Sequence, residues 1–310
     1  MKRTAIFLAS FAATAAVCGM VLWLMILQAD RPQPPKPPSA SGPDRQAAAR
    51  RRPGPRPPFQ TLEPGLELAE LDCPIRCDIG DSKVAVCRID PARFDFRLLC
   101  ASSANPPVPQ PASQWCRLDA LVAAINAGVI GRDGRTAAGL MQARGVVNNP
   151  RRSRDMAMLA FDRVSRNVAL AQVADLDYLP FNRLKEQYAA LIQGPRLVSA
   201  RGKNVAPAGS GRASAACIAM DSSDRLLFIL VRSPYTMRDL GDALIKLKIG
   251  LRTVMLTATG PEAQLFVNAA ARERQFIGSY RAGVREDDTN ATASPVANVI
   301  GLVRRPAATN

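Results

Sequence analysis

The chain has 310 residues, 47% of them hydrophobic, and it carries a formal charge of +15 with no histidine. This length suggests one large domain or two ordinary ones plus appendages, and the apolar content is enough for a core. The missing histidine excludes Ser-His-Asp and Cys-His catalytic pairs, so acid–base chemistry must come from carboxylates, Tyr, Lys, Cys or the substrate. The positive charge indicates an anionic partner. Because the sequence has no basic, aromatic-rich strand or recognition-helix pattern, we expect no nucleic acid among its partners.

The first segment, residues 1–30, is predicted to be a membrane anchor. Two basic residues precede an uncharged run over residues 4–29, which is long enough to cross a hydrocarbon layer of ~30 Å as a helix. A cleaved signal peptide is the alternative, with Ala13 and Ala15 as its candidate cleavage site. The apolar run continues well beyond these alanines, and this favours an uncleaved single-pass anchor.

The next segment, residues 31–69, is predicted to be a linker. Its first part, residues 31–58, contains ten prolines and seven Lys/Arg with few apolar side chains. Such a composition cannot bury a core and favours an extended, partly polyproline spacer. The folded domain is therefore expected over residues 70–310.

Cysteine usage indicates the compartment of this domain. Six cysteines follow the predicted anchor: Cys73, Cys77, Cys87, Cys100, Cys116 and Cys217. An even number behind an export signal favours disulfides, with fifteen pairings open, and predicts a domain outside the cytoplasm, periplasmic or extracellular. A zinc site built from the first four is the alternative, although their spacing lacks two CxxC knuckles. No metal ligand, cofactor or oligomeric state is assigned.

The first predicted elements of the domain are two strands, residues 82–90 and 94–102, paired across a turn at Asp90-Pro91. Ser113 is expected to cap a short helix. In the second strand, alternation places four apolar side chains on one face: Phe94, Phe96, Leu98 and Cys100.

The later elements begin with a hairpin turn on Asp133-Gly134. A polar, Arg-rich middle over residues 151–190 follows and has no assigned element. Residues 191–205 and a hairpin over residues 212–233 are then predicted as strands. A helix follows with Thr236 and Asp239 as its capping box, an apolar stripe along one face and Gly250 at its end.

The stretch "VMLTATGPEAQLFV", residues 254–267, combines a buried strand with a Gly-Pro loop, where enzymes of the α/β type usually keep their chemistry. Its middle, residues 257–259, nevertheless offers no acid, base or strong nucleophile. Since strands outnumber helices, we predict an α+β fold: a single mixed-sheet domain with helices packed on the sheet.

Several collinear segments carry a resemblance to a known family. They include "LVAAINAGVIGRDGRTAAGLM" (121–141), "LIQGPRLVS" (191–199), "RASAACIAMDSSDRLLFILVRSPYTMRDL" (212–240) and "GPEAQLFV" (260–267). Together they resemble the phosphodiester glycosidase domain family, which is related to the enzyme that uncovers mannose 6-phosphate. The resemblance spans about residues 84–305 and implies a site where several loops meet.

The resemblance also implies the roles of particular residues. Asn126 and Glu262 become the catalytic candidates, and the substrate-binding candidates are Gly128, Arg196, Arg212, Ser214 and Gly260. An acid–Gly–Gly loop is expected after the last core strand, yet Ala258 stands at the acid position and Thr259 at the first glycine. Alanine can neither stabilise an oxocarbenium-like state nor activate water, so the site is predicted to be altered or degenerate.

Two functions follow from these expectations. The first is a membrane-tethered, exported protein that acts on or binds sugar phosphodiesters, with Arg212 holding phosphate and Asn126 placing the sugar. The alternative is a non-catalytic module of the cell envelope that binds an anionic glycan or a partner protein. Ala258 favours the second, and the retained Asn126, Gly128, Arg212 and Gly260 favour the first, or at least a ligand.

Overall fold

This computed structural model describes residues 59–103, 108–209, 211–281, 284–285 and 291–306. These residues belong to one compact unit, Arg56–Asn310. The predicted membrane anchor and the proline-rich stretch lie outside the described residues. Of the helices in the described ranges, the longest has 10 residues, and none has the length and apolar character needed to span a bilayer.

Nineteen strands and three α-helices are formed within the described ranges. The strands, in chain order, are β1 Gln60–Glu63, β2 Leu66–Asp72, β3 Lys83–Ile89, β4 Phe94–Cys100, β5 Ala123–Asn126, β6 Met141–Ala143, β7 Val146–Asn149, β8 Ala157–Arg163, β9 Gln172–Asp175, β10 Tyr188–Gly194, β11 Arg196–Val198, β12 Ala213–Asp221, β13 Leu226–Tyr235, β14 Leu251–Thr259, β15 Gln264–Ala269, β16 Arg272–Ile277, β17 Tyr280–Arg281, β18 Val284–Arg285 and β19 Asn298–Arg304. The helices are α1 Ala112–Leu118, α2 Phe181–Gln187 and α3 Met237–Lys246.

The strands form three sheets. Sheet I has the order β1-β2-β3-β13-β12-β14-β11, with β17 paired to β12 and to β18. Sheet II has the order β7-β6-β10-β8-β9, and sheet III has the order β16-β15-β5-β19-β4. The strand pairs in the described ranges are antiparallel.

The main core lies between one face of sheet I and the inner faces of sheets II and III. The unbroken apolar run of β13 explains this position, because a strand buried on both faces does not alternate with polar residues. Three of its side chains enter the main core: Leu226, Phe228 and Leu230. The intervening three enter a second core on the opposite face of sheet I: Leu227, Ile229 and Val231.

Each sheet has its outer face covered by one helix. The Leu240 and Leu244 side chains of α3 pack in the second core. Trp115 of α1 packs on sheet III, and Leu184 of α2 packs on sheet II. The helices are short because each has only one apolar stripe to bury on a sheet that supplies most of the contact surface.

The α+β class is confirmed, but the expected single mixed sheet is replaced by three sheets. The two strands expected to pair with each other, β3 and β4, lie in different sheets: β3 pairs with β2 and β13, and β4 pairs with β19. The turn after Asp90 is present, and the Asp90 N–H donates to the Gly65 carbonyl at 2.8 Å. It carries the chain across the main core from one sheet to another.

The local predictions fare differently at the two helices that they addressed. Thr236 caps α3 by accepting a hydrogen bond from the Asp239 N–H at 3.1 Å, so this capping prediction is confirmed. The cap predicted at Ser113 is wrong, because α1 begins after Pro111 and has no side-chain cap. The four predicted apolar side chains of β4 do share the main core: Phe94, Phe96, Leu98 and Cys100.

The predicted disulfides are wrong, because all six described cysteines are free. Cys73 lies in the second core, and four more cysteines are buried: Cys87 and Cys100 in the main core, Cys217 also in the second core and Cys116 in the core under α1. Burial raises the pKa of these four thiols to about 12. The zinc alternative has no support either, since no cluster of three or more His, Cys, Asp or Glu side chains suited to a metal occurs among the described residues.

Candidate functional site

A pocket opens where the end of β5, the turn after β14 and the start of β19 meet. Its volume is about 460 Å³. Its lining includes two of the predicted residues on the β5 side, Asn126 and Gly128, and one on the β14 side, Glu262. Ala258, at the predicted position of the missing acid, lines the same pocket. The pocket therefore collects three of the seven predicted site residues.

Asn126 ties two walls of this pocket together. Its side-chain amide donates to the Glu262 carbonyl at 2.8 Å, and its Oδ1 accepts from the Gln264 N–H at 2.7 Å. The residue is 5% exposed, so these hydrogen bonds satisfy most of its polar capacity in a dry environment. Asn126 thus positions the turn that carries Glu262, a role that differs from the sugar contact expected for it.

Glu262 lies in the 3-10 turn Gly260–Glu262 that follows β14. Its carboxylate accepts a hydrogen bond from the Arg281 guanidinium, and the two side chains are 43% and 54% exposed. Glu262 is the single carboxylate among the described residues that line the pocket. Any acid–base chemistry there would have to use a group that is already ion-paired.

Gly260 provides the space for this ion pair. It has φ +79°, and a Cβ at this position would lie 2.7 Å from Arg281 Nε and 3.2 Å from Glu262 Oε2. Gly278 is required for a similar reason, because a Cβ there would lie 2.1 Å from the Gly260 carbonyl oxygen. The pair is therefore held over bare backbone rather than over side chains.

The end of β14 carries no acid. Ala258 is 8% exposed, belongs to the main core and lines the pocket with Thr259. It lies opposite Ala216 of the neighbouring strand β12. A methyl group thus occupies the wall where the family resemblance places a carboxylate.

The loop between β5 and β6 supplies a further cation, Arg132, whose side chain lines the pocket. Asp133 beside it belongs to the predicted turn: its carboxylate accepts from the N–H groups of Arg135 at 3.0 Å and Thr136 at 2.9 Å. Hydrogen bonds from the Thr136 side chain and from these backbone groups lower the pKa of Asp133 to about 2. Asp133 is therefore committed to the turn, as expected.

Arg212, the predicted phosphate ligand, does not line the pocket. Its Nη2 lies 2.8 Å from the Cys77 sulfur, and its Nε donates to the Pro234 carbonyl at 3.0 Å. Its guanidinium also forms an ion pair with Asp78. These partners belong to the loop after β2 and the end of β13, so the guanidinium is directed away from Asn126.

Arg196 is likewise outside the pocket. Its guanidinium pairs with Asp175, which is 1% exposed, and with Asp177 at 2.7 Å. Asp175 also accepts from the Ala200 N–H at 2.9 Å. Arg196 therefore holds the loop after β9 against the loop after β11.

Ser214 is buried, and its hydroxyl works within the fold. It donates to the Arg232 carbonyl and accepts from the N–H groups of Ser279 at 3.0 Å and Tyr280 at 3.1 Å. These hydrogen bonds hold the start of β17, the strand that carries Arg281. Ser214 thus supports the site from behind rather than facing a ligand.

Sequence reasoning missed the two pocket cations, Arg132 and Arg281. Arg132 was within the predicted hairpin turn, where an exposed arginine has no distinguishing pattern. Arg281 lies 19 residues after Glu262, and its approach depends on the β17–β12 pairing of Arg281 with Ala213. The close contact between Gly260 and Gly278 accompanies this approach, but it is visible only in three dimensions.

Comparisons with known proteins agree with the family resemblance found in the sequence. The sequence profile described as phosphodiester glycosidase matches residues 119–303, which is more than half of the chain. None of the curated proteins matches this chain. A hypothetical protein from Synechocystis has a similar structure, with a TM-score of 0.51 and 14% identity over 81% of this chain. The match spans 64% of the length of that protein, and at this identity it shows a shared fold alone.

A second solved structure is the catalytic domain of zebrafish N-acetylglucosamine-1-phosphodiester alpha-N-acetylglucosaminidase, described as auto-inhibited by its pro-peptide. Its TM-score is 0.49 and its identity 11%, covering 79% of this chain and 86% of that domain. A putative exported protein from Burkholderia pseudomallei has a TM-score of 0.41 at 11% identity, covering 71% of this chain and 74% of its own.

Proposed function

Because the chain belongs to the phosphodiester glycosidase family, we propose that its pocket binds a sugar phosphodiester and that it hydrolyses this ligand poorly. One observation carries the proposal: the pocket pairs two arginines with one carboxylate, Glu262, and that carboxylate is already bound to Arg281. The site therefore has the means to attract an anion but lacks a free acid or base.

The loss of chemistry has a physical cause. Cleavage of a glycosyl–phosphate bond proceeds through an oxocarbenium-like state, which glycosidases usually support with carboxylates. Ala258 supplies none, and the absence of acid–base help typically reduces the rate by about 10²–10⁴-fold. Because phosphate is a fair leaving group, some slow hydrolysis can remain when the acid is lost, whereas binding of the anion by arginines does not require the acid.

The anion would be held by Arg281 and Arg132. A guanidinium presents a planar fork of donors that matches two phosphate oxygens. These residues replace Arg212 and Arg196 in the phosphate-binding role, because both of those guanidinium groups are engaged by aspartates outside the pocket. Gly128 lines the same pocket, and Gly260 leaves the space in which the Arg281 guanidinium lies.

The proposal includes a place in the cell. The apolar run of residues 4–29 acts as a single-pass anchor, and residues 31–58 act as a spacer that holds the domain away from the membrane. The end of the predicted linker, residues 60–69, belongs instead to strands β1 and β2 of sheet I. The globular domain is then periplasmic or extracellular, where anionic glycans and phosphodiester-linked polymers are its ligands. A mature chain that begins near residue 16 or residue 30 would contradict the anchor.

Slow hydrolysis by Glu262 is the second candidate function. It is favoured by the position of this carboxylate on the pocket wall and by Asn126, which fixes the turn that bears it. If a bound phosphate took Arg281, the released carboxylate could activate water. The alternative without sugar chemistry, a docking module for a partner protein, has no comparable observation among the described residues.

The test uses the full chain in detergent with the methyl phosphodiester of N-acetylglucosamine. Calorimetry measures binding, and release of the free sugar measures hydrolysis. We expect binding without measurable turnover in the wild type and a gain of turnover in Ala258→Asp. The matched control is Ala258→Asn, which has nearly the same shape and no charge.

The outcomes separate the candidates. Wild-type turnover that disappears in Glu262→Gln would replace the binding function with the second candidate. Absence of both binding and turnover in the wild type and in Ala258→Asp would refute the assignment of a sugar phosphodiester to this pocket.

A further inference from the structure

The Arg281–Glu262 ion pair occupies the pocket that the proposed function assigns to an anion, and the inference below rests on that function. We propose that the Glu262 carboxylate competes with the phosphate of the ligand for the Arg281 guanidinium. This competition favours singly charged phosphodiesters over doubly charged phosphomonoesters. The carboxylate holds the guanidinium in the empty pocket and must exchange with the incoming phosphate.

The geometry shows that the pair is built into the fold. Asn126 fixes the backbone of Glu262 through its carbonyl, and the bare Cα of Gly260 lets the guanidinium lie over the turn. Arg281 Nη2 also approaches the Thr259 carbonyl, at 3.4 Å. Both charges are thus held at the pocket wall by the backbone around them.

The exposure of the pair makes exchange feasible. Side chains that are 54% and 43% exposed keep much of their hydration, and such pairs contribute little, about 0–1 kcal/mol. A phosphate that bonds the guanidinium bidentately replaces one charge-assisted contact by a stronger one. Arg196, whose partner Asp175 is 1% exposed, could not exchange in this way.

The exchange leaves a carboxylate close to the ligand. Asn126 holds the Glu262 backbone in place. The Glu262 side chain therefore stays near the phosphate that has displaced it from Arg281. A phosphodiester carries one negative charge, whereas a phosphomonoester carries about −1.5 to −2 at pH 7. Repulsion from the released carboxylate is therefore larger for the monoester, and Glu262 shifts the selectivity of the pocket towards the diester.

The experiment compares two probes on the full chain: N-acetylglucosamine 1-phosphate and its methyl diester. Calorimetric titrations at pH 7.5 and low salt give the affinity of each probe for wild type and for Glu262→Gln. We expect Glu262→Gln to bind both probes more tightly, by roughly two- to fivefold for the diester and by more for the monoester. The ratio of diester to monoester affinity should therefore fall.

The matched control is Glu273→Gln. Glu273 pairs with Arg117 at 2.7 Å, with side chains 45% and 56% exposed, so this pair resembles the pocket pair in exposure but is not part of the pocket lining. Its substitution should leave both affinities unchanged. Arg281→Gln should weaken both probes and, in the double variant, remove the part of the Glu262→Gln gain that comes from competition for the guanidinium.

Three results would contradict the proposed competition between Glu262 and the phosphate. They are weaker binding in Glu262→Gln, an unchanged diester-to-monoester ratio, or the same gain in Glu273→Gln. If the diester binds wild type and Arg281→Gln weakens it while Glu262→Gln changes nothing, the competition is wrong and the proposed function stands. If neither probe binds wild type or Glu262→Gln, the competition and the proposed function fail together.

Discussion

Two arginines, Arg196 and Arg281, lie in contrasting surroundings. Arg196 is 13% exposed and pairs with an aspartate that is 1% exposed, whereas Arg281 and its glutamate are about half exposed. The first pair has lost most of its water and holds two loops together. The second keeps its water and can exchange partners. Burial, more than charge, therefore separates an arginine that is fixed in the fold from one that remains exposed to solvent in this chain.

The largest expected effect comes from breaking the buried pair. Arg196→Ala leaves Asp175 charged and buried with only backbone donors, which should lower the free energy of unfolding by about 3 kcal/mol. Arg281→Ala should cost less than about 1 kcal/mol, because its pair is exposed. Urea unfolding of the two variants measures the difference. Equal losses would show that burial does not distinguish the two arginines.

A smaller effect is expected at Asn126, which joins the pocket walls. Asn126→Ala leaves the Glu262 carbonyl and the Gln264 N–H without their partners, and we expect a loss of about 2 kcal/mol together with weaker binding of the sugar diester. Asn126→Asp keeps the acceptor for the Gln264 N–H, so its loss of unfolding free energy should be intermediate. If Asn126→Ala weakened binding at unchanged stability, Asn126 would contact the ligand directly.

The smallest effect concerns the third arginine, Arg212. Its hydrogen bond to Asp78 lowers the pKa of that carboxyl from 3.8 to about 2. Because the folded-state pKa is depressed, the contribution to stability is complete above about pH 3.8 and is lost as the pH falls through about 2. The stability difference between wild type and Asp78→Asn should therefore shrink over this window. A difference that stayed constant down to pH 2 would contradict the pairing.

Much of the strand and helix pattern follows from the sequence because it is local. The apolar run of β13, the hairpin with β12 and the Thr236 cap each depend on neighbouring residues, and all three are present. Strands β8 and β9 were missed since they lie in the Arg-rich segment. Strand β8 nevertheless contains a run of five buried apolar residues, Ala157 to Phe161, so the surrounding arginines obscured an apolar pattern that is present in the sequence.

The arrangement of the site was harder to predict because it depends on partners that are distant in sequence. Nothing near Arg212 in the chain indicates that Asp78 will take its guanidinium, 134 residues earlier. The cysteines illustrate the same point, since their even number suggested disulfides whereas all six described cysteines are free. The pairing of β3 with β13 rather than β4 also had no local signal.

The contact between Gly278 and Gly260 has a consequence for how this chain can change. Two backbones meet so closely that even a methyl group at position 278 would collide with a carbonyl oxygen. Substitutions at the acid position, at the cations and in the loops around the pocket are therefore sterically open, whereas this close backbone contact requires glycine at position 278. A fixed backbone contact of this kind allows the residues at the rim of the pocket to change while the shape of the pocket is kept.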